Sequence, residues 1–136
     1  MVIKRKRLLG ERNLDFCRSL CNFAIMNENR DKQPLTRVRI TAMRQTVYRD
    51  LMAQYENPIE HTCDIVVGQS FISVGGKRPD GLCESAWESM RPFVEALARG
   101  EGNFYDGWMQ NPCSAMISCN DGFRPVSFYL ETITND

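Results

Sequence analysis

The feature that most constrains this chain lies between residues 114 and 133. Two short apolar runs, SAMISC and PVSFYLETI, flank the stretch NDGFR. Asn120, Asp121 and Gly122 are strong turn formers, because Asn and Asp bond their own backbone and Gly has no Cβ to clash. A hairpin with an antiparallel ladder follows. A second run supports a sheet. In TRVRITAM, Val38, Ile40 and Ala42 alternate with Arg37, Arg39 and Thr41, the period-two pattern of a half-buried strand. VVGQSFISV reads as another strand, bent at its Gly.

One long helix is predicted over roughly residues 81–99. Leu82, Ala86, Met90, Phe93 and Leu97 fall on one face, with Trp87 and Val94 beside them. Asp80 is placed to cap its start and Gly100 to end it. Pro92 lies inside and is expected to kink or split it. VYRDLMAQY suits a short helix, and residues 11–28 a further one, with Leu14, Cys17, Leu20/Cys21 and Ala24/Ile25 at helical spacing. The fold class is therefore α+β: a small mixed or antiparallel sheet of about four strands against one main helix, plus an N-terminal helix. Residues 1–35 read as a helical extension that ends at the polar linker NRDKQPL, and residues 36–136 as a single domain.

Composition bears on compartment and partner. The basic start MVIKRKRLLGER has no apolar core behind it, so no secretory signal is expected. No apolar run approaches the roughly 20 residues that span a bilayer. The expected compartment is the cytoplasm, where the six cysteines should be free thiols, packing residues or ligands. Net charge is zero but uneven: residues 1–50 carry +7 and residues 51–136 carry −7. That asymmetry suits contact between the two halves, within one chain or across a homodimer. No nucleic-acid motif accompanies the basic half, which disfavours a nucleic-acid partner. A small molecule or a partner protein remains, and the identity of any cofactor is left open.

The chemistry-bearing candidates are few. With Asp80 as cap, Cys83 falls in the first helical turn, where N–H groups and the helix dipole favour a thiolate. Glu84 opposes this, and Cys83 could equally pack beside Trp87. Cys63 follows His61 in a loop, and Cys119 ends a strand. His61, Cys63, Cys83 and Cys119 are the right types for a tetrahedral zinc site, though their spacing matches no established finger. Cys17 and Cys21 share a helical face, as core or as a ligand pair. Arg124 could clamp an anion through its fork, or pair with Asp121 or Glu131. Phe104, Tyr105, Trp108 and Met109 sit among Gly102 and Gly107, as a lid over an apolar pocket or as a plug over the sheet.

Three segments occur together: Cys63-x4-Gly68-x2-Phe71, Pro79-x-Gly81-x-Cys83-x2-Ala86-Trp87, and Cys119-x-Asp121-Gly122-x-Arg124-Pro125-Val126. In this order they resemble a family of small uncharacterised bacterial proteins, over about residues 36–134. The resemblance places Cys63, Cys83, Cys119, Trp87, Asp121 and Arg124 at the family's motif positions and implies no activity. Members often have C-P-x-F where this chain has CDIV, and two adjacent cysteines where it has Ser118 and Cys119. The second departure weakens an adjacent-dithiol site.

Three functional expectations follow. The first is a ligand-binding or accessory domain, with Trp87, Trp108, Asp121 and Arg124 as binding residues. The second is a thiol-dependent enzyme or redox protein using Cys83 with Cys63 or Cys119. The third is a structural zinc domain. With one histidine and no evident carboxylate pair for acid–base work, the first is preferred.

Overall fold

The computed structural model describes residues 36–60 and 62–133. The predicted helix over residues 11–28 and the candidate ligand His61 lie outside the described residues. Four strands form one sheet: β1 (Arg37–Gln45), β2 (Ser70–Val74), β3 (Ser114–Ser118) and β4 (Val126–Ile133). Their order across the sheet is β2-β1-β4-β3, and every neighbouring pair is antiparallel. The sheet is therefore antiparallel rather than mixed. Among the described residues two helices, α1 (Arg49–Tyr55) and α2 (Glu84–Ala98), join the sheet in an α+β fold.

Alternation in the sequence becomes two faces in space. Val38, Ile40 and Ala42 of β1 are fully buried, as are Phe128 and Leu130 of β4. In the ladder Ile40 stands opposite Phe71 on one side and Leu130 on the other, and Leu130 opposite Ala115. One row of apolar side chains thus crosses all four strands. Trp87, Met90, Val94 and Leu97 close it from α2 and join the same buried cluster. Each large side chain so buried contributes about 1.5–3 kcal/mol. Between Ala42 and Arg44 the register shifts by one residue, a bulge at Met43.

The main helix starts three residues later than the sequence predicts. Gly81 has φ +84°, which is not helical, and the Leu82 N–H turns back to the Pro79 carbonyl at 3.4 Å. Pro79, Asp80 and Gly81 thus form a turn of their own, and Cys83 takes the cap position, with φ −56° and ψ 134°. The far end matches expectation. The Gly100 N–H bonds the Leu97 carbonyl and the Glu101 N–H the Ala96 carbonyl, at 3.0 Å each, with Gly100 at φ +81°. This is the paired capping pattern that a left-handed glycine permits. Pro92 does not split the helix, which runs unbroken through it with Pro92 on the exposed side.

The hairpin of β3 and β4 forms as predicted, but its turn is longer than two residues. The Cys119 N–H bonds the Val126 carbonyl at 3.0 Å, leaving residues 120–125 as the loop. Asp121 Oδ1 accepts from the N–H groups of Phe123 at 2.9 Å and Arg124 at 3.2 Å, so a side chain shapes the reversal.

Candidate functional site

Between β1 and β2 the chain makes a long excursion, residues 46–69, whose described residues include none of the fully buried core. Of the twelve large apolar side chains exposed among the described residues, eight lie between positions 43 and 67. Val47, Tyr48, Leu51 and Tyr55 line the first half, and Ile59 and Val66 the second. Tyr55 is 68% exposed and Val66 67%. Helix α1 buries no residue. A seven-residue helix in water is not stable on its own, since nucleation is costly and short helices cannot repay it. Ile65, half-buried, packs against the core cluster from the returning half; other bonds must hold the first half.

Two kinds of bond do so. Along its root, the Thr46 N–H bonds the Pro125 carbonyl at 3.0 Å and the Tyr48 N–H the Phe123 carbonyl at 2.9 Å. At the end of α1, the Glu56 carboxylate accepts from Arg124, whose side chain is 9% exposed. Arg124 Nη1 also donates to Asp121 Oδ2 at 3.3 Å. One guanidinium therefore joins the arm to the β3–β4 loop, and each of its carboxylates helps balance its charge. Where the arm returns, the Gly68 N–H bonds the Ala42 carbonyl at 2.7 Å and the Ala42 N–H the Gln69 carbonyl at 2.9 Å.

The clamp is electrostatically consistent. The Glu56 bond is the largest influence on Arg124; with both nearby carboxylates it outweighs burial and raises the guanidinium pKa above its ordinary value. Burial pushes the Asp121 carboxyl up, but the Phe123 and Arg124 N–H groups and the Arg124 side chain together hold it below its ordinary value. Of the two readings of Arg124, the structure displays the paired one, with Glu56 as a further partner. Glu56 sits 68 positions away in sequence, and no local pattern singles it out.

The cysteines fall into separate surroundings. Cys63 is exposed in the arm. Cys83 is exposed at the start of α2, and its side chain makes no capping bond. Cys119 is half-buried, and its Sγ accepts the Val126 N–H at 3.3 Å. Asn120 Nδ2 reaches the Ser85 carbonyl at 3.2 Å, which draws the end of β3 toward the start of α2. Among the described residues no three His, Cys, Asp or Glu side chains converge as a metal-binding group. The expectation of free thiols fails at Cys113, which is disulfide-bonded.

Trp87 belongs to the core, and Trp108 packs against its edge. The loop over residues 103–108 folds back on α2. Phe104 meets Phe93 edge-on at 5.0 Å, and Tyr105 meets Trp108 at 5.3 Å. Asn103, Tyr105 and Asp106 all have φ near +53°, so this turn is locally left-handed. The aromatic loop is thus anchored by Phe104 and Trp108, while Tyr105 stays 65% exposed. No helix among the described residues is long and apolar enough to cross a membrane. No protein-family model, no curated protein and no solved structure matches the chain.

Proposed function

We propose that this protein is an accessory domain that binds a partner protein through the arm at residues 46–67. The observation that carries this reading is the concentration of exposed apolar side chains on a segment fastened by a nearly buried ion pair. Apolar surface left in water costs free energy, and a clustered patch of it marks a contact site. An arm that served only to connect two strands could be short and polar. This one is long, carries Tyr48, Leu51 and Tyr55 outward, and is held in shape by Arg124. Aromatic residues on a pre-shaped segment suit an interface, because little ordering remains to be done on binding.

The thiol-enzyme reading has one observation in its favour: Cys83 is exposed at a helix start. Against it, Cys119 already accepts a backbone bond. The accessory reading is tested with a photo-crosslinking amino acid at Leu51 or Tyr55, and at Glu88 on the exposed side of α2 as control, in cells that make the protein. A discrete protein adduct from positions 51 and 55 but not 88 supports it, whether the adduct is another protein or a second copy. Equal labelling from all three positions, or none, contradicts it.

A further inference from the structure

The sheet has two edges, and they differ. With the order β2-β1-β4-β3, the outer sides of β2 and β3 face no other described strand. The Gly75 N–H bonds the Thr36 carbonyl at 3.1 Å, and the Ala42 N–H the Gln69 carbonyl at 2.9 Å. Bonded pairs alternate along an antiparallel ladder. Phe71 and Ser73 therefore turn their backbone groups toward β1, while Ser70, Ile72 and Val74 turn theirs outward. Among the described residues these outward groups make one backbone bond, from the Lys77 N–H to the Val74 carbonyl at 3.4 Å. Ser70, Ile72 and Val74 are also exposed, the last two by 38% and 40%. The edge at β3 is shielded at its start. Ser114 is fully buried, and its Oγ donates to the Asn111 carbonyl at 2.6 Å.

Unpaired strand edges invite another strand, and proteins blunt them with charge, Pro or a bulge. Ser70–Val74 reads SFISV, without charge or Pro, and its ladder with β1 has no register shift. Three features favour a second copy as the occupant. The first is register. Antiparallel pairing about a two-fold axis at Ile72 sets Ile72 against its own copy, and Ser70 of each copy against Val74 of the other. Every outward N–H and C=O of the three residues then has a partner, the Val74 carbonyl using its second lone pair. The second is charge. A two-fold axis brings each group beside its own copy, so a charge there would meet its like. β2 has none, and Arg39, in the row of Ile72, is already paired with Glu131 at 3.3 Å. The third is area. A specific interface buries roughly 1,200–2,000 Å², more than one five-residue strand provides. Val66 and Val67, 67% and 54% exposed, directly precede β2 and give the contact apolar surface beyond the strand, in both copies at once.

We propose that two copies of this chain join edge to edge through β2, about a two-fold axis at Ile72, so that their sheets become one continuous antiparallel sheet. Both α2 helices then lie on the same side of it. On that side Phe71 of each copy comes beside Ser73 of the other. On the opposite side Ile72 meets Ile72 and Val74 meets Ser70, which takes exposed apolar surface out of water. The contact stands on β2 and does not require Leu51 or Tyr55 to meet a partner.

The test is sedimentation velocity of the full chain over a concentration series, with non-reducing electrophoresis to set aside disulfide-linked species. A reversible monomer–dimer equilibrium is predicted. Ile72→Lys places like charges at the axis, and Ile72→Pro removes an outward N–H while leaving the bonds to β1 in place. Each should weaken association by about tenfold or more. Met116→Lys, at an outward position of β3, should leave association unchanged. Leu51→Ser with Tyr55→Ser should leave it unchanged too, which separates this contact from that of the arm. Melting temperature certifies each fold, and if Ile72→Pro melts early, Ile72→Lys decides alone. A chain that stays monomeric at its highest soluble concentration overturns the proposal. So does a dimer that survives Ile72→Lys, or one broken by Met116→Lys or by the Leu51 and Tyr55 changes.

Discussion

The arm at residues 46–67 and the hairpin of β3 and β4 are similar in length and opposite in construction. The hairpin places Ala115, Val126, Phe128 and Leu130 inside, each no more than 1% exposed. Among its described residues the arm buries no side chain fully; Arg124 and two root hydrogen bonds hold it, with Ile65 half-buried against the core. Stability and form are thus separable here. The hairpin is held by the removal of apolar surface from water. The arm is held by a polar clamp, which fixes a direction while leaving apolar side chains available. A segment of the second kind suits recognition, since its surface is not already spent on folding.

Mutation should sharpen that contrast. The largest loss is expected from Phe128→Ala, which leaves a cavity between sheet and helix and should cost about 3–5 kcal/mol in denaturant unfolding. Arg124→Ala comes next. It leaves the Glu56 carboxylate without its partner and frees the arm. Its melting temperature should fall by several degrees, with faster backbone exchange in the arm. A fall as large as that of Phe128→Ala would mean the clamp supports the core as well.

A smaller effect depends on pH. The folded pKa of Asp121 lies below its ordinary value of 3.8, so the folded state holds fewer protons on it than the unfolded state. Its contribution is full above that ordinary value and is lost as pH falls through the lower folded value. Asp121→Asn should therefore flatten the acid limb of stability below about pH 4. An unaltered acid limb would remove Asp121 from the clamp. The smallest change is expected from Leu51→Ser with Tyr55→Ser. Stability should shift by no more than about 0.5 kcal/mol per substitution, as at exposed sites, while crosslinking from a probe placed at the exposed Ile59 of the same arm disappears. A loss of several kcal/mol would show that α1 is core after all.

Much of the sheet was legible because its signal is local. Val38, Ile40 and Ala42 alternate, and alternation decides a face. The stripe through Met90, Val94 and Leu97 likewise marks the helix side that meets the sheet. The helix start was misplaced because Asp80 is a good cap in isolation, while Gly81 adopts a positive φ that ends the turn before Cys83. The candidate site was much less legible. Asp121 and Arg124 are three residues apart and could be paired on sight, but Glu56 becomes their neighbour only when the arm folds back. The arm also has no strong periodic pattern beyond α1, so its exposure emerges only from what it fails to touch.

The most direct measurement is native-state hydrogen exchange, comparing peptides from residues 47–67 with those from β1, β4 and α2, in wild type and in Glu56→Gln. Exchange through local openings reports segment by segment on stability. The arm should exchange well before the core in wild type, and Glu56→Gln should speed it further while β1, β4 and α2 stay unchanged. An arm as protected as the core, or a core that loosens together with it in Glu56→Gln, would contradict the separation between a packed domain and a clamped recognition arm.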